Sequence, residues 1–223
     1  MTLPRVVVVD LDDTLFPERD YVRSGFSAVD DEVRRAFGVA GFGAAAWELF
    51  ESGLRGRIID AALGRLGLPA DAATVASLVD CYRGHRPSIG LYPDVAPAMR
   101  SVGARARAAI ISDGPLAAQR RKVEALALQA WFDPILLTDR WGRDYWKPHE
   151  RAFREIEAAT GCTGAECVYV GDNPSKDFDA PRRLGWRTLR VRRPGGEHAV
   201  SDGGAELECV DLDEGGRLLG LGG

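Results

Sequence analysis

Asp10 and Asp12 stand two residues apart, directly after Val6-Val7-Val8-Val9. Four consecutive β-branched residues read as a strand buried on both faces, which puts Asp10 at its carboxyl end. Residues i and i+2 of an extended chain face the same way, so both carboxylates are expected to enter one crevice while Leu11 turns to the core. Such a pair is costly unless a cation or a shared proton compensates, and a hard divalent ion with oxygen ligands suits it. Mg2+ is the implied cofactor. A dinucleotide fold would follow this strand with Gly-x-Gly-x-x-Gly, which is missing.

Three later segments stand at or just past the ends of apolar runs, where an open parallel sheet puts its ligand site. Ala108-Ala109-Ile110-Ile111 leads into Ser112-Asp113-Gly114, a buried strand ending in a hydroxyl and a tight turn. The Ser112 hydroxyl and the N–H groups of such a turn can hold phosphate oxygens, although a serine there is more often a helix cap. Lys147 is a sharper signal. Of 29 Lys plus Arg only Lys122, Lys147 and Lys176 are lysines, and two of them fall in these segments. Pro148 fixes an extended or turn backbone beside Lys147, and Pro148-His149-Glu150 then opens a helix. A compact ammonium there offsets the carboxylates and grips a transferring phosphoryl group. Finally, Glu166 to Val170 reads as a strand ending in Gly171, so Asp172 sits at the same edge as Asp10, with Asp177 about a helical turn later. An acidic loop in that place is a metal-site candidate. Together the four segments make a site for phosphoryl transfer through an aspartyl intermediate.

These residues resemble the haloacid dehalogenase-like (HAD) hydrolase superfamily, with all four motifs in order. Asp10, Asp12 and Thr14 match the first motif, Ser112 the second, Lys147 the third, and Asp172 with Asp177 the fourth. The resemblance spans the chain apart from an insert and the tail. It implies that Asp10 is nucleophile and metal ligand, Asp12 the general acid and base, and Asp172 a second ligand. The Asp12 main-chain carbonyl is implied as a further Mg2+ ligand. Ser112, Asp113 and Lys147 are implied at the phosphate, with Thr14 and Asp177 in support. Asp177 is expected to act through water or by positioning Lys147.

The second aspartate discriminates within that superfamily. Members that cleave carbon–halogen bonds lack an acid two residues after the nucleophile, because a halide leaves without a proton. An alkoxide needs that proton, and Asp12 is placed to give it and then to activate water. The reading is a phosphomonoesterase acting on a small phosphorylated metabolite, sugar phosphate or nucleotide-like. Two alternatives remain: a phosphomutase, against which Asp13 argues because glycine often stands there, and a phosphate-sensing or regulatory protein without efficient turnover.

Composition fits one soluble enzyme chain: 223 residues, 45% hydrophobic and 28% charged. A formal net charge of −4 argues against a nucleic-acid partner, and the basic clusters Arg120 to Lys122 and Arg182 to Arg193 read as solvated helix and strand-end charges. The apolar run before Asp10 is too short for a signal peptide or membrane span, so no membrane partner and a cytoplasmic location are expected. The four cysteines form no close metal pair and are expected as reduced, buried thiols. Monomer and homodimer are both open.

The elements that must position these residues form an α/β fold: a Rossmann-like HAD core with a parallel sheet, plus an α-helical cap inserted after the first strand. Strands are expected near 5–10, 108–112, 134–137, 167–170 and 187–191, with a possible last strand at 207–210. Roughly a hundred residues separate the first two motifs. Helical apolar spacing over Tyr21 to Phe37, Gly43 to Ser52, Gly56 to Leu66 and Asp71 to Arg83 predicts four helices there. The core is expected over 1–16 and 90–223 and the cap over 17–89, hinged near 17–20 and 87–93. In the family such a cap opens for substrate and closes against water. Tyr21, Arg23, Arg57, His85 and Arg86 are its candidate polar contacts, and Phe16 and Trp146 are candidates for the leaving-group pocket.

Overall fold

The valine run before Asp10 forms the central strand of a sheet. In the computed structural model, which describes residues 3–222, β1 (Val6–Val9) is buried along its whole length. It pairs in parallel with β2 (Arg107–Ser112) on one side and with β4 (Cys167–Gly171) on the other. β3 (Ile135–Leu137) extends the first side, while β5 (Arg187–Val191) and β6 (Leu207–Cys209) extend the second. The order among the described residues is β3-β2-β1-β4-β5-β6, all parallel. Successive strands run outward from β1 on one side and then cross to the other. The topological switch therefore lies between β1 and β4, where a parallel sheet opens a crevice at its carboxyl edge.

Helices cover both faces, as a sheet buried on both sides requires. α7 (Arg151–Thr160) lays Ala152, Phe153 and Ile156 against Val6, Val8, Ala109, Ile111 and Tyr169. The Phe153 ring meets those of Tyr169 and Trp186 edge-on at 5.2 and 5.5 Å. The alternate residues Val7, Val9, Ala108 and Ile110 are equally buried and face the other way. α5 (Val95–Gly103), α6 (Leu116–Ala125), α8 (Asp179–Arg183) and α9 (Leu212–Leu218) complete the layers.

Two compact units divide the chain. One joins the chain up to Glu18 with the chain from Gly90 onward, and the other is Arg19–Ile89. The helical unit is built from α1 (Glu18–Phe37), α2 (Phe42–Glu51), α3 (Ile58–Arg65) and α4 (Ala72–Gly84). Phe26, Val29 and Val33 make one stripe of α1 and pack with Phe42, Ala62 and Leu63. α4 starts where its sequence signals: the Asp71 carboxylate accepts hydrogen bonds from Ala73 N and Thr74 N. α3 begins at Ile58 instead of Gly56, because Gly56 and Arg57 hold left-handed φ values of 66° and 49°. α1 begins three residues before Tyr21, its first N–H being satisfied by Asp13 Oδ1 at 2.9 Å from Glu18 N. No helix among the described residues is long and apolar enough to cross a membrane.

Candidate active site

Asp10 leaves β1 buried, its N–H donating to Val170 O at 2.8 Å so that the two central strands stay paired up to the carboxyl edge of the sheet. Leu11 is fully buried, as expected. Lys147 lies opposite. Its Nζ donates to Asp10 Oδ1 at 2.7 Å, to Asp177 Oδ1 at 2.8 Å and to the Tyr169 hydroxyl at 2.7 Å, so one ammonium gathers three groups from three segments. Burial pushes the Asp10 carboxyl up, but the Lys147 and Lys176 ammoniums outweigh it and hold Asp10 below its ordinary value. Asp10 is thus kept ionised in a dry site. Against the pull of burial, Asp10 and Asp177 in turn raise the Lys147 ammonium well above an ordinary lysine.

Asp172 follows β4 and completes an acidic set. One carboxylate oxygen from each of Asp10, Asp172 and Asp177 lies within 4.8 Å of the others, and all three residues are buried. Burial, and then the charges of Asp10 and Asp177, push the Asp172 carboxyl up to about 9. Lys147 alone does not compensate three carboxylates. Hard oxygen donors in surplus over their cations fit a divalent ion such as Mg2+, which this acidic set could hold. The loop is shaped by Asp177, whose Oδ2 accepts from Asn173 N at 2.9 Å. Gly171 is required beneath it, since a Cβ there would stand 2.8 Å from Asp177 Cγ.

Ser112 ends β2, buried, and its Oγ accepts from Gln119 Nε2 at 2.7 Å. Asp113, expected beside it as a phosphate contact, has Oδ1 accepting from Thr138 Oγ1 at 2.7 Å and from Lys147 N at 3.1 Å. The Asp113 carboxylate holds the lysine segment in place. Thr14 is fully buried, and its carbonyl accepts from Arg193 Nε and Nη2 at 3.2 and 2.9 Å.

Asp12 departs from the simple strand alternation. The chain bends at Leu11, and the Asp12 carboxylate leaves the acidic set for α6, where Lys122 Nζ donates to Oδ1 at 2.6 Å and Gln119 Nε2 to Oδ2 at 2.9 Å. Neither partner was named among the site residues from sequence. Gln119 and Lys122 share a helix face right after the Ser112 turn, but sequence spacing does not say what that face meets.

Asp13 was also missed. It takes a left-handed φ of 51° and uses both oxygens, accepting from Glu18 N at 2.9 Å and Glu197 N at 3.0 Å. The basic cluster Arg182 to Arg193 is not all solvated, which corrects the expectation. Arg187, Arg190 and Arg193 are buried, and main-chain carbonyls accept from the guanidinium groups of Arg190 and Arg193. Arg190 donates to the carbonyls of Asp172, His198, Ser201 and Gly203 and so ties the acidic loop to the segment after β5.

Among the pocket candidates, Trp146 donates from Nε1 to Asp139 Oδ1 at 3.1 Å, and the Phe16 ring lies 5.7 Å from Lys122 Nζ. Within the helical unit, the Arg23 guanidinium covers the Trp47 ring at 4.1 Å, His85 is buried against Tyr21 and Tyr82, and Arg57 and Arg86 are exposed.

Residues 4–185 match the family model of the haloacid dehalogenase-like hydrolases. The chain belongs to that family. The enolase-phosphatase E1 of Streptomyces avermitilis is 35% identical over 108 residues, covering 47% of this HAD-like hydrolase and 44% of the relative. The phosphoserine phosphatase of Thermus thermophilus is 30% identical over 140 residues, covering 62% and 55%. The match thus spans about half the length of either relative. A 2-haloacid dehalogenase from Pseudomonas syringae pv. Tomato DC3000 shares the fold, with a TM-score of 0.67 at 23% identity over 98% of this chain and 99% of that one.

Proposed function

We propose that this HAD-like hydrolase is a Mg2+-dependent phosphomonoesterase that acts on a small phosphorylated metabolite through an aspartyl phosphate on Asp10. The observation that carries this is the carboxylate of Asp12, two residues past the nucleophile and held by its own donors apart from the acidic set. Halide departure needs no proton donor at that place, whereas an alkoxide does. This favours ester cleavage over the dehalogenation named for one structural neighbour. The two phosphatase-named relatives point the same way.

In this reading Asp10, kept ionised, attacks phosphorus while Asp12 gives its proton to the departing oxygen. Asp12 then takes a proton from water as that water attacks the aspartyl phosphate and frees Asp10. Ser112 and Lys147 contact the phosphoryl oxygens, Lys147 offsetting the charge that develops on them. Asp113, Thr14 and Asp177 support these groups. Asp10, Asp172 and the Asp12 carbonyl hold the ion, which when bound neutralises carboxylate and phosphoryl charge. In this reading the helical unit Arg19–Ile89 serves as the family's cap.

Phosphate release from a panel of sugar phosphates, nucleotides and hydroxy-acid phosphates, with Mg2+ or with chelator, tests this. Turnover with Mg2+ is expected on at least one ester, lost in chelator and lost roughly a thousandfold or more in Asp10→Asn. Turnover by Asp10→Asn at the wild-type rate would overturn the reading. Phosphoryl label held on Asp10 without release would favour a phosphate-responsive regulator instead.

A further inference from the structure

α6 aims two long polar side chains at Asp12 from within the protein. Gln119 and Lys122 stand three residues apart on one helix face and are 1% and 4% exposed. A buried amide and a buried ammonium are tolerated only when partnered, and here the partners are site residues. Gln119 Nε2 donates one hydrogen to Asp12 Oδ2 at 2.9 Å and the other to Ser112 Oγ at 2.7 Å. Lys122 Nζ donates to Asp12 Oδ1 at 2.6 Å, with the Phe16 ring 5.7 Å away. Each carboxylate oxygen thus has its own donor, and both donors come from one rigid element. The Gly114 turn keeps the approach open, for a Cβ there would lie 3.2 Å from Gln119 Cδ. The Asp12 side chain remains 18% exposed, so it is fixed but still reachable.

We infer that Gln119 and Lys122 are positioning residues that lock the Asp12 carboxyl in the orientation from which it exchanges protons. This rests on the reading of Asp12 as acid and base. When the P–O bond to the leaving group breaks and the Asp10 Oδ–P bond forms, the Asp12 proton passes to the leaving oxygen. When water attacks phosphorus and Asp10 is released, a water proton returns to Asp12. Both transfers need the same carboxyl within hydrogen-bond reach of two successive partners, which a freely rotating side chain meets only part of the time. Gln119 adds a link, setting Asp12 at a fixed distance from the Ser112 hydroxyl.

The test uses the Mg2+-loaded full chain, comparing Lys122→Met and Lys122→Arg with wild type on p-nitrophenyl phosphate and phenyl phosphate. In Lys122→Met, kcat/KM is expected to fall roughly ten- to hundredfold on phenyl phosphate and much less on p-nitrophenyl phosphate, whose leaving group needs little protonation. Lys122→Arg is expected to recover a large part of that loss, and inhibition of Lys122→Met by inorganic phosphate to stay within about threefold of wild type. A purely structural lysine would depress both esters alike. Equal losses, or unchanged kcat/KM on both esters, overturn the inference and leave the phosphatase reading standing. If wild type hydrolyses neither aryl ester, the variants are compared on an alkyl ester it does turn over. There an unchanged kcat/KM in Lys122→Met, or a loss that Lys122→Arg does not recover, overturns the inference. Turnover of no ester at all overturns the phosphatase reading and this inference with it. If Lys122→Met does not fold, Gln119→Leu on the same two esters decides by the same difference.

Discussion

Lys147 Nζ lies 2.7 Å from Asp10 Oδ1, and neither side chain is open to solvent. The same ammonium lies 2.8 Å from Asp177 Oδ1, so its removal leaves two carboxylates buried without their shared cation. Breaking a buried pair from one side costs about 3–5 kcal/mol, far more than loss of an exposed ion pair. Lys147→Met is therefore expected to lower unfolding free energy in urea by about that amount in chelator, and by less with Mg2+ present. A loss under about 1 kcal/mol in chelator would show that the carboxylates relax without the lysine.

Metal binding should release a proton. The Asp172 carboxyl, pushed up to about 9 by burial and by Asp10 and Asp177, is largely protonated at neutral pH, yet a ligand to a divalent ion must be ionised. Apparent affinity for Mg2+ is thus expected to rise with pH by roughly tenfold per unit between pH 6 and 8, levelling near 9. Calorimetry in buffers of different ionisation enthalpy reads both the affinity and the proton. An affinity flat across that range, with no proton released, contradicts the assignment of Asp172 as ligand.

Sequence alone made the shared carboxyl edge of Asp10, Ser112 and Asp172 legible for a physical reason. Asp10, Ser112 and Asp172 each follow an apolar run, and in a parallel sheet the ends of buried strands converge. Asp177 and Lys147 were legible through residue type and spacing. Gln119 and Lys122 were not, because a helix face presents its side chains to whatever lies beside it, and spacing does not name that neighbour. Asp13 escaped because its task, satisfying Glu18 N and Glu197 N, depends on a left-handed backbone that nothing local demands of aspartate. Arg190 sits in a fully buried strand, where a charge is unexpected until the carbonyls of the segment after β5 fold over it.

Glu18 links stability to pH. Burial, and then the Asp12 charge, raise its carboxyl from 4.5 to about 7, despite the opposing Lys122 ammonium. The folded protein holds this proton more tightly than the unfolded chain, so ionising Glu18 costs stability. The cost is absent below pH 4.5, grows between 4.5 and 7, and is complete above 7. Glu18→Gln removes it, and is expected to raise unfolding free energy by about 1–3 kcal/mol at pH 8 and by little at pH 4.5. A gain of the same size at both pH values would trace the effect to packing instead of ionisation.

On the proposed reading, Asp12→Asn separates the acid from the nucleophile. Asparagine keeps one acceptor oxygen for Lys122 and turns its NH2 toward the Gln119 amide, and it has no carboxyl proton to exchange. On an alkyl phosphate both alkoxide departure and water attack need that exchange, so turnover is expected to fall by orders of magnitude. On p-nitrophenyl phosphate the first step needs little help, because the phenolate leaves without a proton. The aspartyl phosphate then forms at a near-normal rate and hydrolyses slowly. Rapid mixing is expected to show a burst of nitrophenolate near one equivalent per active site, followed by a slow phase, with label from the phosphoryl group held on Asp10. If burst and steady state slow equally, and equally on both esters, Asp12 organises the site without exchanging a proton.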